Sequence, residues 1–337
     1  MKKDIFAVCD PESSYALRLT AYLQEKQGAV FEVLAFTSEK SLCAFAREHE
    51  ISLLLLSAQV SHEEVSRCQV GKILLLSEGE MTEEEDTLPC VFKYQAADRL
   101  ISEVMKHYGA EKRAVPQAFL KRDLRQIAIY SPAEREGKTA FALALGQALA
   151  RDRRALYLNM EGCSGLPFLL RKEPEADFAD LMYFVKQKEG SFTYRIQGIV
   201  QSVGELDYIP PFPTPMDVRG VTVQEWMTLL EEISRHSVYD RILLQLDETA
   251  DGFLDILKSC DTIYMPVWKD AVSKAKLLQY KKMLKLAGYE ELMEKTKERS
   301  LRDPGEPIKG EYAGEQLLWG EYGAFVRKLV REEREHV

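Results

Sequence analysis

Two kinds of hydrophobic pattern alternate along the first 108 residues of the chain. Short, continuously apolar runs indicate strands buried on both faces, as in a parallel sheet. The five runs are Asp4–Asp10, Phe31–Phe36, Ile51–Ser57, Lys72–Ser77 and Pro89–Tyr94. Between them, helical spacing covers Ser13–Lys26, Ser38–Glu48, Glu63–Cys68 and Ala96–Tyr108. This alternation predicts a five-stranded, doubly wound α/β domain with a flavodoxin-like fold.

A second α/β pattern follows a break in periodicity. The segment 109–125 loses apolar spacing, contains Pro116 and is locally basic, as in a linker. We therefore predict a first domain over residues 1–112, a linker over 113–125 and a second domain over 126–337. The predicted strands of the second domain are 126–131, 153–161, 205–211, 239–247 and 261–267, and its predicted helices are 138–150, 223–235, 272–287 and 316–331.

Composition excludes several classes of protein. The 337 residues are 46% hydrophobic and 29% charged, which is typical of a globular chain. A net charge of −9 argues against general affinity for nucleic acid or anionic lipid. No apolar run is long enough for a signal peptide or a membrane span, so we expect a cytoplasmic protein. The six cysteines show no metal-binding or redox spacing and are expected to be buried free thiols.

The strongest chemical signal is Gly137-Lys138-Thr139, which follows a predicted strand and opens a predicted helix. In a P-loop, the glycine lets the backbone approach phosphate, the lysine pairs with the β and γ oxygens, and the threonine hydroxyl holds Mg²⁺. The pattern predicts binding of ATP and Mg²⁺. The usual first glycine of the motif is Pro132, so a loop that has lost its nucleotide is the alternative.

The whole chain resembles the TadZ/CpaE group of Flp (tight adherence) pilus assembly proteins, in which a receiver-like domain precedes a ParA/MinD-type P-loop ATPase domain. The resemblance rests on YSP…GKT, ALYLNME, LDYIPP, YDRILLQLD and YAGEQLLWGE. It implies a second domain with a mainly parallel sheet, and nucleotide contacts that include Arg135 and Ala140. Ala133 stands in place of the family's signature lysine, which implies a weakened transition-state interaction.

The resemblance also implies roles for two acids beside the P-loop. Asn159 and Glu161 take the places of the two aspartates that position water and support the metal in the family. Gln245 takes the place of the Walker B aspartate, and Asp247 is the next carboxylate on the same strand face. The candidate catalytic residues are therefore Lys138, Glu161 and Asp247, and the candidate metal-site residues are Thr139 and Asp247. The alternative for each acid is a solvated strand-end or loop residue.

The first domain resembles a response-regulator receiver. Asp10, Ser77 and Lys93 match the acidic, hydroxyl and lysine positions of that family, but Ser57 replaces the phosphoacceptor aspartate. The resemblance therefore implies a pseudo-receiver that acts as a docking surface and takes no phosphate.

The segment 314–337 places apolar residues on one helical face: Leu318, Tyr322, Phe325 and Leu329. Its polar face mixes acids and bases and lacks the basic excess of a membrane-surface helix. We expect this helix to pack on the second domain.

Together these features predict a cytoplasmic, ATP-binding switch or scaffold with slow or absent hydrolysis. The resemblance implies a homodimer that localises or assembles Flp-type pilus secretion machinery, concentrates at a cell pole and reaches the membrane only through partners. No specific binding of nucleic acid is expected. The alternative is an active ParA/MinD-type partitioning or positioning ATPase, and the residues leave enzymatic activity undecided.

Overall fold

The computed structural model divides the chain into two compact units. The first unit comprises residues 1–115 and 193–198, and the second comprises residues 116–192 and 199–337. The structure describes residues 3–28, 30–78, 88–109, 124–133, 137–187, 192–268, 270–301, 316–317 and 319–335. The predicted linker lies almost entirely outside the described residues, and the predicted domain limits stay predictions.

The first unit is built on a five-stranded parallel sheet with the order β2-β1-β3-β4-β5. Its strands are β1 (Asp4–Cys9), β2 (Phe31–Phe36), β3 (Ile51–Ser57), β4 (Val70–Ser77) and β5 (Cys90–Phe92). Its helices are α1 (Ser13–Gln27), α2 (Glu39–Ala46), α3 (His62–Val65) and α4 (Ala97–Gly109). Helix α3 is shorter than predicted, and Cys68 lies beyond its end.

Alternate residues of these strands face different helices. Ile5, Ala7 and Cys9 of β1 join the core that contains Leu42 of α2 and Val65 of α3. On β1 the intervening Phe6 packs edge-on against Phe31, which in turn contacts Tyr108 of α4. Helices therefore cover both faces of the sheet, which explains why its strands are continuously apolar.

A helix from later in the chain contributes to the first unit. Helix α8 (Phe192–Ile199) supplies residues 193–198, and the ring of Tyr194 packs against Phe31 and Tyr108. The Tyr194 hydroxyl donates a hydrogen bond to Asp4 Oδ2 at 2.7 Å. The hydrophobic pattern of the sequence predicted no helix here.

The second unit contains a seven-stranded sheet with the order β12-β11-β6-β10-β7-β9-β8, parallel except between β8 and β9. Its strands are β6 (Arg125–Ile129), β7 (Ala155–Asn159), β8 (Gln201–Val203), β9 (Leu206–Ile209), β10 (Arg241–Gln245), β11 (Thr262–Val267) and β12 (Thr296–Ser300). Its helices are α5 (Lys138–Ala150), α6 (Leu166–Leu170), α7 (Phe178–Gln187), α9 (Pro215–Arg219), α10 (Val223–His236), α11 (Phe253–Ser259), α12 (Ala271–Ala287), α13 (Glu291–Lys295) and α14 (Gly320–Glu335).

Helix α5 lies in the core of the second unit. It is apolar around most of its circumference, and nine of its residues are buried, as expected of a helix covered on all sides. Helix α14 packs against α5 and adds Tyr322, Val326 and Leu329 to the same core. The predicted packing of the C-terminal helix is confirmed, although Leu318 lies outside the described residues.

The predicted fold class is confirmed. The chain is α/β: its first sheet has the flavodoxin-like strand order, and the mainly parallel second sheet carries the strand β6, loop and helix α5 of a P-loop fold. Over the described ranges, no helix combines the length and the apolar character needed to cross a membrane.

Candidate functional site

The predicted site residues meet at the carboxyl edge of the second sheet. Strand β10 lies between β6 and β7, and its last residue, Gln245, pairs in register with Ile129 on one side and Asn159 on the other. The loops that follow these three strands therefore begin beside one another. The P-loop follows β6, Glu161 follows β7 and Asp247 follows β10.

Gly137 starts helix α5 in a conformation that favours glycine. Its φ is +105°, in the left-handed region that other residues rarely adopt. A Cβ at this position would come no closer than 3.7 Å to a neighbouring side chain, so the backbone angle, and not space, requires glycine. This turn puts Lys138 and Thr139 in the first turn of α5, where the helix dipole favours an anion.

Lys138 already contacts an anion within the chain. Its Nζ lies 2.6 Å from Oε1 of Glu161, and only 7% of Lys138 and 8% of Glu161 is exposed. Burial raises the pKa of Glu161, and this effect outweighs the opposite effects of Lys138 and Gln245. The predicted phosphate-binding lysine is therefore neutralised by the residue predicted to position water or metal.

Gln245 connects the two predicted groups of the site. Its Nε2 donates to Glu161 Oε2 at 2.5 Å and to Thr139 Oγ1 at 3.0 Å, and it is fully buried. An aspartate at this position would place a negative charge beside Glu161. The glutamine instead offers both neighbours a hydrogen-bond donor, which explains how a buried carboxylate is accommodated here.

Tyr157 completes this network, although no sequence pattern indicated its role. Its hydroxyl donates to Gln245 Oε1 at 2.7 Å and accepts from Asn159 Nδ2 at 3.0 Å. Asn159 Oδ1 accepts from the backbone N–H of Glu161 at 3.1 Å. The hydrophobic pattern counts Tyr157 as one of the apolar residues of a buried strand. Its side chain instead fixes the orientation of the Gln245 amide.

Asp247 contacts a different set of groups. Its Oδ2 accepts from the backbone N–H of Gly162 at 3.1 Å, and its Oδ1 accepts from the backbone N–H of Thr249 at 2.8 Å. These bonds tie together the loops after β7 and β10. The structure records no contact of Asp247 with Lys138 or Thr139, so its predicted catalytic and metal roles stay predictions.

The arrangement does not form a ready Mg²⁺ site. The Thr139 hydroxyl faces an amide N–H donor of Gln245, whereas Mg²⁺ prefers oxygen ligands. Among the described residues, no group of three or more His, Cys, Asp or Glu side chains is placed to hold a metal ion. The residues fit an internal ion pair better than a preformed metal site.

The remaining predicted contacts lie around the P-loop. Ala133, in place of the signature lysine, is nearly buried, and its backbone N–H donates to Ser131 Oγ at 3.3 Å. Ser131 Oγ in turn donates to the carbonyl of Pro266 on β11 at 2.8 Å. Ala140 lies in the first turn of α5, partly buried against the core. Arg135 lies outside the described residues.

A separate cavity of about 240 Å³ lies next to the start of the P-loop. Its lining residues are Tyr130, Pro132, Glu248, Phe253, Lys276, Gln279, Tyr280 and Met283. Tyr130 donates to Glu248 Oε1 at 2.5 Å, and its ring contacts that of Tyr280. The Lys138–Glu161 pair does not line this cavity, so the cavity is distinct from the predicted phosphate site.

The first unit has its own charged cluster at the carboxyl edge of its sheet. Lys93 Nζ lies 2.9 Å from Asp10 Oδ2, 2.9 Å from Glu78 Oε1 and 3.6 Å from Glu12 Oε2. It also lies 4.8 Å from the centre of the Tyr15 ring. Burial alone disfavours the ammonium, but hydrogen bonds and charge from Asp10 and Glu78 raise the pKa of Lys93 above its ordinary value.

The serine at the predicted acceptor position is also placed by the structure. Ser57 is fully buried at the end of β3, and its hydroxyl accepts from the backbone N–H of Gln59 at 3.3 Å. Neither its burial nor its chemistry suits it to accept phosphate as an acyl phosphate. Gln59 connects to the lysine cluster, because its Nε2 donates to both carboxylate oxygens of Glu78.

Comparison with known proteins gives fold-level likenesses only. No protein-family model matches the chain, and no curated protein matches it significantly. Several solved structures match the chain at low sequence identity. A ParA family ATPase from Chlorobium tepidum TLS is 17% identical, with 57% of this chain and 80% of that chain covered and a TM-score of 0.45.

The other two structures are similar to this chain at the same level. The MinC:MinD cell division protein complex of Aquifex aeolicus is 19% identical over 53% of this chain and 69% of that chain, with a TM-score of 0.42. A putative plasmid partition protein from Borrelia burgdorferi B31, bound to AMPPNP, is 14% identical over 64% of this chain and 100% of that chain, with a TM-score of 0.45. With TM-scores below 0.5, none of these likenesses assigns the chain to a family.

Proposed function

We propose that the chain is a nucleotide-responsive scaffold whose second unit binds ATP at the loop formed by Gly137, Lys138 and Thr139. The observation that carries this proposal is the ion pair between Lys138 and Glu161, with 2.6 Å between Nζ and Oε1. The pair marks a place at the start of α5 where the protein holds an anion. A polyphosphate also offers the lysine negative charge, and it does so on more oxygens. The N-terminus of the helix favours such an anion.

In this proposal Glu161 gates the site. Nucleotide binding requires the triphosphate to displace the Glu161 carboxylate from Lys138, so the chain's own carboxylate competes with the ligand. The hydrogen bond from Gln245 to Glu161 helps to keep the Glu161 carboxylate beside Lys138. We therefore expect ATP to bind more weakly than it would to a P-loop with an unpaired lysine.

Hydrolysis is expected to be slow or absent. Gln245 and Asn159 supply amides where the resembled family has carboxylates, and Ala133 supplies no charge for the transition state. Removal of a single group that stabilises charge in a transition state costs on the order of 100- to 1,000-fold in rate. Thr139 would hold the Mg²⁺ that accompanies ATP through its hydroxyl oxygen, which in this structure accepts a hydrogen bond from the Gln245 amide.

The first unit is proposed to act as a docking module that takes no phosphate. Lys93 is held by three carboxylates, and a buried serine takes the place of the acceptor aspartate. These features support a pseudo-receiver with a fixed charge arrangement. Its partner would recognise the surface of the unit and not its phosphorylation state.

The cellular role is proposed from the resemblance of the sequence motifs to TadZ/CpaE proteins. In that role the chain forms a homodimer in the cytoplasm, concentrates at a cell pole and organises Flp-type pilus secretion machinery through partner proteins. Loss of surface pili on deletion in a host that makes tight-adherence pili, and their return with the wild-type chain, would be the expected result.

Calorimetric titration of the full chain with ATP and Mg²⁺ tests the biochemical proposal. Wild type is expected to bind ATP. At an ATP concentration 100 times the dissociation constant, its free energy of unfolding is expected to rise by about 2.7 kcal/mol, which a thermal melting curve measures. Lys138→Ala should lose this effect, whereas the exposed Lys282→Ala on α12 should keep it. Absence of binding by wild type at millimolar ATP would make the loop a relic.

Phosphate release at saturating ATP separates the scaffold from its alternative. The scaffold proposal predicts a rate equal to that of Lys138→Ala. A rate well above that control, and lost in Arg135→Ala, would instead identify an active ParA/MinD-type positioning ATPase with a relocated basic group.

A further inference from the structure

Two cysteines that are distant in sequence lie in contact within the first unit. Cys68 Sγ donates a hydrogen bond to Cys43 Sγ at a sulfur–sulfur distance of 3.1 Å. The expectation that all six cysteines are buried is wrong, because only Cys9 and Cys260 are buried, while Cys163 is exposed and Cys43, Cys68 and Cys90 are half-buried. Their 25-residue separation gave no spacing signal.

The fold brings the two thiols together through helices α2 and α3. Cys43 lies on α2, and Cys68 follows α3 just before β4. Both sulfurs point to one acceptor, the carbonyl oxygen of Glu64, at 4.0 Å from Cys43 and 3.5 Å from Cys68. The two helices pack against the same face of the sheet, which holds the sulfurs near each other.

We propose that Cys43 and Cys68 are an oxidation site that closes to an intramolecular disulfide. A disulfide bond is about 2.05 Å long, so the sulfurs need to approach by only about 1 Å. Both residues are partly exposed, so a small oxidant such as a peroxide reaches them. The bond would join α2 to the segment before β4 and close a loop that contains β3.

The reaction balances with hydrogen peroxide as the oxidant. One thiolate attacks a peroxide oxygen, the O–O bond breaks, and water and a sulfenic acid form. The second sulfur attacks the sulfenic sulfur, the S–O bond breaks, and a second water leaves with the remaining thiol proton. Two thiols and one peroxide thus give one disulfide and two waters, and the two cysteines lose two electrons.

The surroundings of Cys43 disfavour its thiolate. Burial raises the pKa of Cys43 to about 12, and the hydrogen bond from Cys68 and the charges of Glu39 and Glu64 add to this effect. Cys43 is therefore a poor first nucleophile at neutral pH.

Peptide mapping of the full chain under non-reducing conditions tests this proposal. The reduced protein is treated with hydrogen peroxide and, in parallel, with diamide. The expected product is a Cys43–Cys68 cross-linked peptide that has lost two hydrogen atoms and returns to the dithiol with dithiothreitol. The melting temperature of the oxidised protein is expected to rise by about 5 °C, because the closed loop restricts the unfolded chain.

Variants keep the test specific. Cys43→Ser and Cys68→Ser should each abolish the cross-link, and Cys90→Ser should leave it unchanged, because Cys90 is also half-buried but bonds its own neighbour, the carbonyl of Leu88, at 3.3 Å. Peptide mapping of the wild-type protein tests the cross-link without depending on the folding of any variant. Recovery of both cysteines as free thiols, or as overoxidised or intermolecular products, while Cys163 is fully modified would overturn the proposal.

Discussion

Each of the two sheets buries a lysine at its carboxyl edge, but the lysines have different numbers of anionic neighbours. Lys93 in the first unit has three carboxylates within 4 Å, from Asp10, Glu12 and Glu78. Among the residues that the structure describes, Lys138 in the second unit forms one ion pair, with Glu161. Both lysines are nearly inaccessible to solvent.

The number of neighbouring carboxylates determines which lysine can exchange its counter-ion. A lysine among three carboxylates balances a local excess of negative charge, so removing Lys93 leaves the buried Asp10 carboxylate unpaired. A lysine with one carboxylate forms a neutral pair, and another anion can take the place of that carboxylate as its counter-ion. The first unit therefore contains a permanent internal cation, and the second contains an exchangeable one.

The largest effect is expected from removing the permanent cation. Lys93→Met should lower the free energy of unfolding of the first unit by about 3–5 kcal/mol, because Asp10 stays buried without its counter-ion. Urea unfolding measures this loss, with the exposed Lys40→Met as the control. A change below about 1 kcal/mol would show that the cluster is solvated and that the contrast between the units is wrong.

A smaller effect is expected at the exchangeable cation. Lys138→Met should cost about 1–3 kcal/mol, since it leaves Glu161 buried with Gln245 as its hydrogen-bond donor. Adding Glu161→Gln should restore much of this stability, because the remaining carboxylate charge is then removed. If the double variant is no more stable than Lys138→Met, the two side chains are not energetically coupled.

A third test concerns Asp4, a half-buried carboxylate of the first unit that accepts hydrogen bonds from two tyrosine hydroxyls. Asp4 Oδ2 accepts from Tyr194 at 2.7 Å and from Tyr108 at 3.3 Å. Tyr194→Phe should destabilise the first unit by about 1 kcal/mol in urea unfolding, and the exposed Tyr183→Phe should have no effect. Equal stability of Tyr194→Phe and wild type would show that residues 193–198 contribute nothing through this bond.

The smallest effect is the pH dependence of the Lys138–Glu161 pair. Burial raises the pKa of folded Glu161 above its ordinary 4.5. The folded state therefore binds this proton more tightly than the unfolded state, and the associated stability is present below pH 4.5 and is lost as the pH rises through the folded pKa. Glu161→Gln should lack this loss when unfolding is compared between pH 4.5 and pH 7. Parallel pH profiles of wild type and variant would contradict it.

The fold class was predictable because it depends on local pattern. Continuous apolar runs such as Ile51–Ser57 and the turn at Gly137 are visible without knowledge of tertiary structure. The strand β6, the P-loop position and the start of α5 follow from the same kind of signal. The contribution of residues 193–198 to the first unit was not predictable, because Tyr194 meets Phe31 and Tyr108 only through the tertiary fold.

The residues of the candidate site were predicted from the sequence, but the hydrogen bonds that join them were not. The P-loop motif predicted Lys138 and Thr139, and the family resemblance implied Glu161 and placed Gln245 where the Walker B aspartate is expected. The register of β7 and β10 places Gln245 beside Asn159, and this pairing creates the bonds to Glu161 and Thr139. Sequence separation hides such pairs, as it also hides the contact between Cys43 and Cys68.

Competition between Glu161 and nucleotide for Lys138 is measured by the ATP affinity of Glu161→Gln. Calorimetric titration of wild type, Glu161→Gln and the control Glu248→Gln, which removes a charge from a residue bonded to Tyr130, would be compared. If Glu161 competes with nucleotide, Glu161→Gln is expected to bind ATP at least about tenfold more tightly, equivalent to about 1.4 kcal/mol, and Glu248→Gln is expected to resemble wild type. Weaker ATP binding by Glu161→Gln would contradict this competition and would make Glu161 a residue that supports the bound nucleotide.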